Sequence, residues 1–152
     1  MHSLIVYESR PLAMPIDFHP KIGSILLCDF NSGFKEPEMV KRRPVLVISP
    51  AISTRPKLCT VVSISTETPH KVLPFHHLLQ VTLPDHWHLG PNWIKGDMIY
   101  AVGFHRLDLI RKGKDEFGKR VYYMDTVSDD QLKEIRKCVL SSMGLSALTK
   151  HL

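Results

Sequence analysis

Several reactive side chains stand where β-rich segments of the sequence begin or end. Metal-independent cleavage of RNA needs a base for the ribose 2′-hydroxyl, a proton donor for the leaving 5′-oxygen, and cations or hydrogen-bond donors for the phosphorane charge. Arginine suits the phosphate because its planar donors match two oxygens at once. Hydroxyls and charges at strand ends more often cap a strand or lie in solvent, so spacing alone leaves both interpretations open. The candidate catalytic residues are Arg43, Ser65, Thr66, Lys95 and Asp97.

Composition indicates what kind of protein carries these residues. The chain has 152 residues, of which 43% are hydrophobic, and this is enough for one core. A formal charge of +5 favours a polyanionic partner, most commonly nucleic acid. The three cysteines, Cys28, Cys59 and Cys138, are widely spaced and odd in number, so they predict neither a disulfide framework nor a zinc knuckle.

The N-terminal residues differ in character from the rest. Pro11, Pro15 and Pro20 exclude a long helix, so residues 1–20 are predicted to form an extended arm, and residues 21–152 a single domain. The sequence lacks the cationic start and apolar stretch of a signal peptide, and no apolar run approaches the roughly 18 residues of a membrane span. We therefore expect a cytoplasmic protein without membrane contact.

The order of elements predicts a mainly β domain with one helix. The apolar run at residues 45–49 has no polar alternation, which is typical of a strand buried on both faces. Residues 31–40 form a connection longer than a hairpin needs. A turn or helical piece at 105–110 leads into a basic link at 111–114. The predicted strands are 23–30, 45–49, 58–65, 75–82, 93–103 and 119–124.

A C-terminal helix is the clearest single element. Ser128 followed by acidic residues and Gln131 fits a capping box. Leu132, Ile135, Val139 and Met143 recur on one face, joined by Leu140, and Gly144 stands where a helix usually ends. We expect that face to pack on the sheet.

Four segments together resemble the MazF/PemK (Kid) family of bacterial toxin ribonucleases. Residues 23–30 are similar to the family's first strand, and Arg43-Pro44-Val45-Leu46-Val47-Ile48 is similar to its Arg-Pro-Val-Leu-Val-Ile strand, with Glu38 five residues earlier. Val61-Val62-Ser63-Ile64-Ser65-Thr66 resembles the strand that ends in the catalytic hydroxyl. Lys95-Gly96-Asp97 resembles the Arg-Cys-Asp of the Kid branch, and the resemblance runs from about residue 20 to residue 148.

The resemblance implies a fold, an activity and partners. The fold would be α+β, a small SH3-like barrel with a C-terminal amphipathic helix. The activity would be sequence-specific, cofactor-free and metal-independent cleavage of single-stranded mRNA by a homodimer, leaving a 2′,3′-cyclic phosphate and a 5′-hydroxyl. A cognate antitoxin would neutralise it by covering the RNA groove.

The same resemblance implies roles for individual residues. Arg43 would bind phosphate and stabilise the transition state, Ser65 would supply the hydroxyl with Thr66 as substitute, Asp97 would be the general base, and Lys95 a further cation. Asp97 also suits a turn after Gly96, and both readings stay open. A groove for RNA would be lined by Glu38, Lys41, Arg42, His76 and His77, with a solvated edge as the alternative for the two histidines. Trp87 either stacks on a base or belongs to the core, as aromatic residues of a small barrel more often do. Arg111, Lys112, Lys114, Lys119 and Arg120 either follow the RNA backbone or are ordinary solvated charge.

Three departures from the family pattern keep other functions open. Phe34 stands where the Kid branch has His, Ser65 lacks the methyl group of Thr, and Lys95 lacks the fork of Arg. An RNA-binding regulator without catalysis is one alternative. A CcdB-like gyrase poison is another, although the chain ends Thr-Lys-His-Leu and not Trp-Gly-Ile.

Nine histidines raise the question of a metal. Adjacent residues on a strand point to opposite faces, so His76 and His77 cannot hold one ion together. No Cys or acidic partner stands at ligand spacing, and no metal site is predicted.

Overall fold

The computed structural model describes residues 16–152, apart from the side chain of Asp85. Most of the predicted N-terminal arm therefore lies outside the described residues. Within residues 16–20, Ile16 is buried and its N–H donates to the carbonyl of Leu107 at 3.3 Å. This end of the arm packs along the body of the domain.

Residues 16–152 form a six-stranded antiparallel sheet, a separate two-stranded hairpin and one α-helix, which confirms the predicted α+β class. The order of strands in the large sheet is β4-β5-β3-β2-β1-β6. The strands are β1 (Ile25–Asp29), β2 (Arg42–Val47), β3 (Leu58–Ser65), β4 (His76–Leu78), β5 (Trp93–Gly103), β6 (Leu107–Asp108), β7 (Arg111–Lys114) and β8 (Arg120–Tyr122); the helix is α1 (Asp129–Ser142), and 3-10 turns occupy Asp85–His88, Phe104–Arg106 and Ser146–His151.

Both faces of the central strands are buried, as the unbroken apolar runs predict. One hydrophobic cluster takes alternate residues of the central strands together with Ile135 and Cys138 of α1. The other cluster takes the intervening residues together with Phe30 and Phe104. The first cluster includes Ile25, Leu27, Leu46, Val62 and Ile64, and the second Leu26, Cys28, Val45, Val47 and Val61.

Helix α1 begins where its sequence predicts, but only the Ser128 half of the predicted capping box forms, because the Gln131 side chain bonds to the backbone of Gln80. The Ser128 hydroxyl accepts a hydrogen bond from the N–H of Gln131 at 3.2 Å, and Gly144 has a φ of 77° just beyond the helix end. Ile135 and Cys138 are the buried helix residues. Met143 is 63% exposed because the helix ends at Ser142.

Three segments differ from the sequence prediction. Residues 105–110, expected as a turn or helical piece, include strand β6 (Leu107–Asp108), which pairs with β1. The fourth strand covers only His76–Leu78 and not residues 75–82. The basic segment Arg111–Lys114, expected as a link, is a strand that pairs with β8. Among the described residues, no helix has the length and apolar character that crossing a bilayer requires.

Candidate active site

A pocket of about 700 Å³ opens at the edge where β2 begins and β3 ends. It brings together five of the residues singled out from the sequence: Glu38, Lys41, Arg43, Ser65 and Lys95. The remaining lining residues are Glu36, Pro37, Met39, Val40, Glu67 and Met98. The pocket therefore contains three cations and three carboxylates around one serine hydroxyl.

The strand register explains why Arg43 and Ser65 meet. Val45 lies opposite Ser63 in the antiparallel β2–β3 pair. Arg43 is two residues before Val45 and Ser65 is two residues after Ser63, and residues two apart on a strand share a face. Two side chains that are 22 positions apart in the sequence thus line one cavity.

Arg43 lines the pocket and has one buried donor. Its Nε is buried and has no hydrogen-bond partner among the described residues. Nor does it pair with Glu38, whose carboxylate accepts the N–H of Lys35 at 3.3 Å. The buried Nε is therefore not a contact for a ligand in the cavity, and what Arg43 brings to the pocket lining is the positive charge of its guanidinium.

The hydroxyl of Ser65 is oriented by the backbone that follows it. Its Oγ accepts the N–H of Glu67 at 3.1 Å, in the short-range pattern typical of serine at the end of a strand. A hydroxyl that accepts one bond keeps its own proton for donation. Ser65 is therefore able to donate to a phosphate oxygen in the pocket while its turn bond is intact.

Lys95 is positioned by an irregularity in β5. Ser63 lies opposite Lys95, but the preceding residue, Val62, lies opposite Ile99, so residues 96–98 form an extra excursion of β5. Gly96 fits there because a Cβ atom at this position would lie only 2.8 Å from the backbone of Cys138 in α1. The absence of a side chain lets the helix hold this part of β5 in place.

The long β1–β2 connection forms the other wall of the pocket. The ring of Phe34 packs edge-on against Phe30 at 4.9 Å and Tyr100 at 5.4 Å between ring centroids. The Tyr100 hydroxyl accepts the N–H of Met39 at 2.9 Å, and the Arg106 guanidinium lies 4.8 Å from the centre of the Phe34 ring. Phe34 thus anchors the loop, a role that packing explains without a histidine.

The connection ends in an unusual backbone conformation. Lys41, which lines the pocket, has a φ of 69°, in the left-handed region that favours glycine. Its carbonyl accepts the N–H of Phe30 at 2.8 Å and closes the loop. Non-glycine residues in this region carry backbone strain and cluster at functional sites.

Three further predicted residues lie outside the pocket lining. Arg42 forms an ion pair with Asp108 at 2.7 Å, since its neighbour Arg43 takes the other face of the strand. Thr66 faces Gly90, where an added Cβ would lie 3.8 Å from it. Asp97 is exposed within the excursion of β5.

The other three residues predicted to contact RNA, namely Trp87, His76 and His77, are also absent from the pocket lining. Trp87 is only 7% exposed and belongs to the core, so it is not available to stack on a base in this conformation. His76 lies opposite Lys95, and burial followed by that positive charge lowers the pKa of its imidazole. Burial also lowers the pKa of His77, and the charge of Glu134 on α1 opposes this shift.

The cysteines are not placed for nucleophilic chemistry. Burial raises the pKa of Cys28 to about 12, and that of Cys59 and of Cys138 to about 11. These thiols stay protonated near neutral pH, so they act as small core residues. Among the residues that the structure describes, no group of three or more His, Cys, Asp or Glu side chains is arranged to hold a metal ion.

Sequence reasoning missed part of the pocket lining. Glu67 lies two residues after Ser65, and Glu36 and Met39 lie in the long connection beside Glu38. The period-2 alternation of a strand, continued past Ser65, was the available signal for Glu67. Glu36 and Met39 carry no such signal because loop conformation decides which of their side chains turn inward.

The sequence model of the family described as PemK-like, MazF-like toxin of type II toxin-antitoxin system matches residues 21–143. A comparison with curated proteins gives no significant sequence match.

Solved structures show the same fold at low identity. An endoribonuclease from a mycobacterial species, in complex with its cognate antitoxin, has 17% identity and a TM-score of 0.57, covering 84% of this chain and 97% of that one. MazF from Deinococcus radiodurans has 24% identity and a TM-score of 0.53, covering 84% and 99%. The Mycobacterium tuberculosis toxin MazF-mt6 has 15% identity and a TM-score of 0.52, covering 80% and 96%.

Proposed function

This chain belongs to the PemK-like, MazF-like toxin family of type II toxin-antitoxin systems, and we propose that it is an endoribonuclease that cleaves single-stranded mRNA in the cytoplasm. The observation that carries the proposal is the shared pocket: Arg43, Ser65 and Lys95 come from three strands and line one cavity. The structures of similar fold include two called endoribonucleases.

In the proposed reaction the 2′-oxygen of a ribose attacks the adjacent phosphorus. A base removes the 2′-hydroxyl proton, the bond from phosphorus to the 5′-oxygen breaks, and that oxygen leaves as a hydroxyl after taking a proton from water, to which the protonated base returns its own. The products are a 2′,3′-cyclic phosphate and a 5′-hydroxyl. Arg43 stabilises the charge that develops on the phosphorane, with Ser65 donating to a phosphate oxygen and Lys95 adding a point charge.

The base is proposed to be a carboxylate. The resemblance points to Asp97, which is two residues after Lys95 and is not part of the pocket lining. Glu38 and Glu67 do line the pocket. Measuring kcat for Asp97→Asn, Glu38→Gln and Glu67→Gln separates these candidates, because replacing the residue that acts as the base should lower kcat the most.

The proposed partners are a second copy of this chain and an antitoxin protein. One structure of similar fold is a complex with its cognate antitoxin. Four apolar side chains beyond the end of α1 are exposed and available for contact with a protein partner: Met143, Leu145, Leu148 and Leu152. Light scattering of the purified chain tests the dimer.

The enzymatic proposal is tested with purified protein and a pool of single-stranded RNA in EDTA. We expect cleavage with 5′-hydroxyl ends and cyclic phosphates, loss of cleavage in Ser65→Ala, and retained cleavage in Ser65→Thr, which keeps the hydroxyl. RNA binding without any cleavage would favour the regulatory alternative. Inhibition of gyrase without RNA cleavage would favour a CcdB-like poison.

A further inference from the structure

A basic hairpin, residues 111–122, stands apart from the large sheet and from the pocket. Its strands β7 and β8 form a separate two-stranded sheet, and every residue from 111 to 120 is exposed. Five of these residues are cationic: Arg111, Lys112, Lys114, Lys119 and Arg120. Nothing in the proposed catalytic pocket makes use of them.

The strand register collects three of these cations on one face. Arg111 lies opposite Tyr122, and Lys114 lies opposite Arg120. Opposite residues share a face, Arg120 and Tyr122 are two apart on one strand, and a register shift between Arg111 and Gly113 absorbs the extra residue of β7, so all four side chains point to the same side. This face combines three positive charges with one aromatic ring.

The arrangement is unfavourable without a partner. Like charges directly opposite each other on paired strands destabilise a hairpin, and Lys114 and Arg120 are such a pair. In the part of the chain that the structure describes, no ion pair involves any cation of the basic hairpin. A bound polyanion would relieve this repulsion.

The tip of the basic hairpin presents an aromatic ring in a defined turn. The Asp115 carboxylate accepts the N–H groups of Phe117 at 2.9 Å and Lys119 at 2.8 Å, and Gly118 has a φ of 75°. Phe117 is 85% exposed. A large apolar side chain held in solvent by such a turn suits the stacking of an unpaired base.

The basic hairpin also lies within reach of the strand that carries Arg43. Asp108 pairs with Arg42 at 2.7 Å and is three residues before Arg111. Three residues span at most roughly 11 Å, so the base of the basic hairpin is close to β6 at the edge of the sheet and to the start of β2. An RNA strand longer than the pocket can contact both.

We propose that the basic hairpin is a second binding surface for single-stranded RNA, in which Arg111, Lys114 and Arg120 contact phosphates and Phe117 stacks on a base. The inference rests on the proposed function for its substrate. Exposed cations combined with exposed aromatic rings favour single-stranded nucleic acid over an acidic protein, because each base offers a face for stacking and each linkage offers a charge.

The first test measures RNA binding as a function of salt, in a Ser65→Ala background that prevents cleavage. The probe is a labelled mixed-sequence RNA of about 30 nucleotides, long enough to extend beyond the pocket; measured slopes for single strands are about 0.7 per phosphate contact. The triple variant R111Q/K114Q/R120Q should therefore flatten the slope of log affinity against log salt by about 2. The charge-matched control K21Q/R55Q/R136Q replaces three exposed cations elsewhere and should leave the slope unchanged.

The second test isolates the aromatic tip. Phe117→Ala should weaken binding of the same RNA about tenfold, as expected for one lost base stack. Phe18→Ala, which removes another exposed phenylalanine, should not weaken it. In the cleaving enzyme, Phe117→Ala should raise KM for the long RNA and leave kcat unchanged, and both constants should be unchanged for an RNA short enough to fill the pocket alone.

Failure of this proposal is distinct from failure of the proposed function. If the parent protein cleaves no RNA, the enzymatic proposal is wrong, while the binding slopes still judge the basic hairpin. If the triple variant and its control have the same slope, the RNA surface is refuted. If the triple variant keeps RNA affinity but loses affinity for an acidic antitoxin, the basic hairpin is a protein contact and the proposal is overturned.

Discussion

Replacing Gly96 with alanine should destabilise the domain and disturb the pocket together. A Cβ atom at this position would lie 2.8 Å from the carbonyl carbon of Cys138, 2.8 Å from its Cβ and 2.8 Å from the carbonyl oxygen of Phe75. Two of these three atoms belong to backbone, which cannot rotate away. Helix α1 or strand β5 must therefore move.

The size of the effect follows from the cost of overpacking. Inserting a methyl group into a well-packed site costs about 1–3 kcal/mol, and backbone contacts place this site at the upper end. For a domain of this size each kcal/mol lowers the melting temperature by about 2–4 °C, so Gly96→Ala should lower it by roughly 6–12 °C. Because Lys95 is the preceding residue, RNA cleavage should fall as well.

The assay is scanning calorimetry with a matched glycine control. Gly90 has only ordinary contacts, the nearest being 3.8 Å from Thr66, so Gly90→Ala should leave the melting temperature within a few degrees of the parent. The reasoning is refuted if Gly96→Ala melts within 2 °C of the parent, as a rough limit set by that scale. It is equally refuted if the two variants lose the same stability.

Two further perturbations test the surroundings of the pocket. Tyr100→Phe removes the oxygen that accepts the N–H of Met39, so it should lower stability by about 1 kcal/mol and speed hydrogen exchange of that amide; unchanged exchange would contradict the loop anchor. Burial lowers the pKa of His76 and of His77 from 6.5, so both imidazoles take up a proton at lower pH in the folded chain than in the unfolded chain. As pH falls from about 6.5 through the lowered native pKa, the unfolded chain binds more protons than the folded chain, and the free energy of unfolding should decline. The urea midpoint should fall less between pH 7.5 and pH 5.5 in the double variant H76Q/H77Q than in the parent. An equal fall in both proteins would contradict the role of these histidines.

Local patterns in the sequence predicted the elements best where one physical signal dominated. The apolar run after Arg43 predicted a strand buried on both faces, and the Ser128 cap predicted the start of α1; the structure confirms both. The short β4 was not foreseen, because pairing with β5 and not local propensity sets its length. Strand β7 was missed because its residues are charged, and only its pairing with β8 makes it a strand.

The pocket was predictable only in part, for a related reason. Arg43 and Ser65 stand at strand ends, where antiparallel register can bring them together. The contact between Gly96 and α1 joins residues 42 positions apart, and no local pattern encodes it. Trp87 looked suitable for stacking in the sequence, but its burial depends on the packing of the whole core. The catalytic roles assigned to these side chains stay predictions.

The most direct test of the central claim compares two neighbouring arginines on β2. Arg43 lines the pocket, whereas Arg42 pairs with Asp108 on the other face. Removing a group that stabilises transition-state charge costs about 10²–10³ in kcat, so Arg43→Ala should lower RNA cleavage by at least about a hundredfold. Arg42→Ala should stay within about threefold of the parent, since a partly exposed ion pair contributes about 1 kcal/mol or less to stability. Cleavage by Arg43→Ala at the parent rate, in a variant that circular dichroism shows to be folded, would contradict the account.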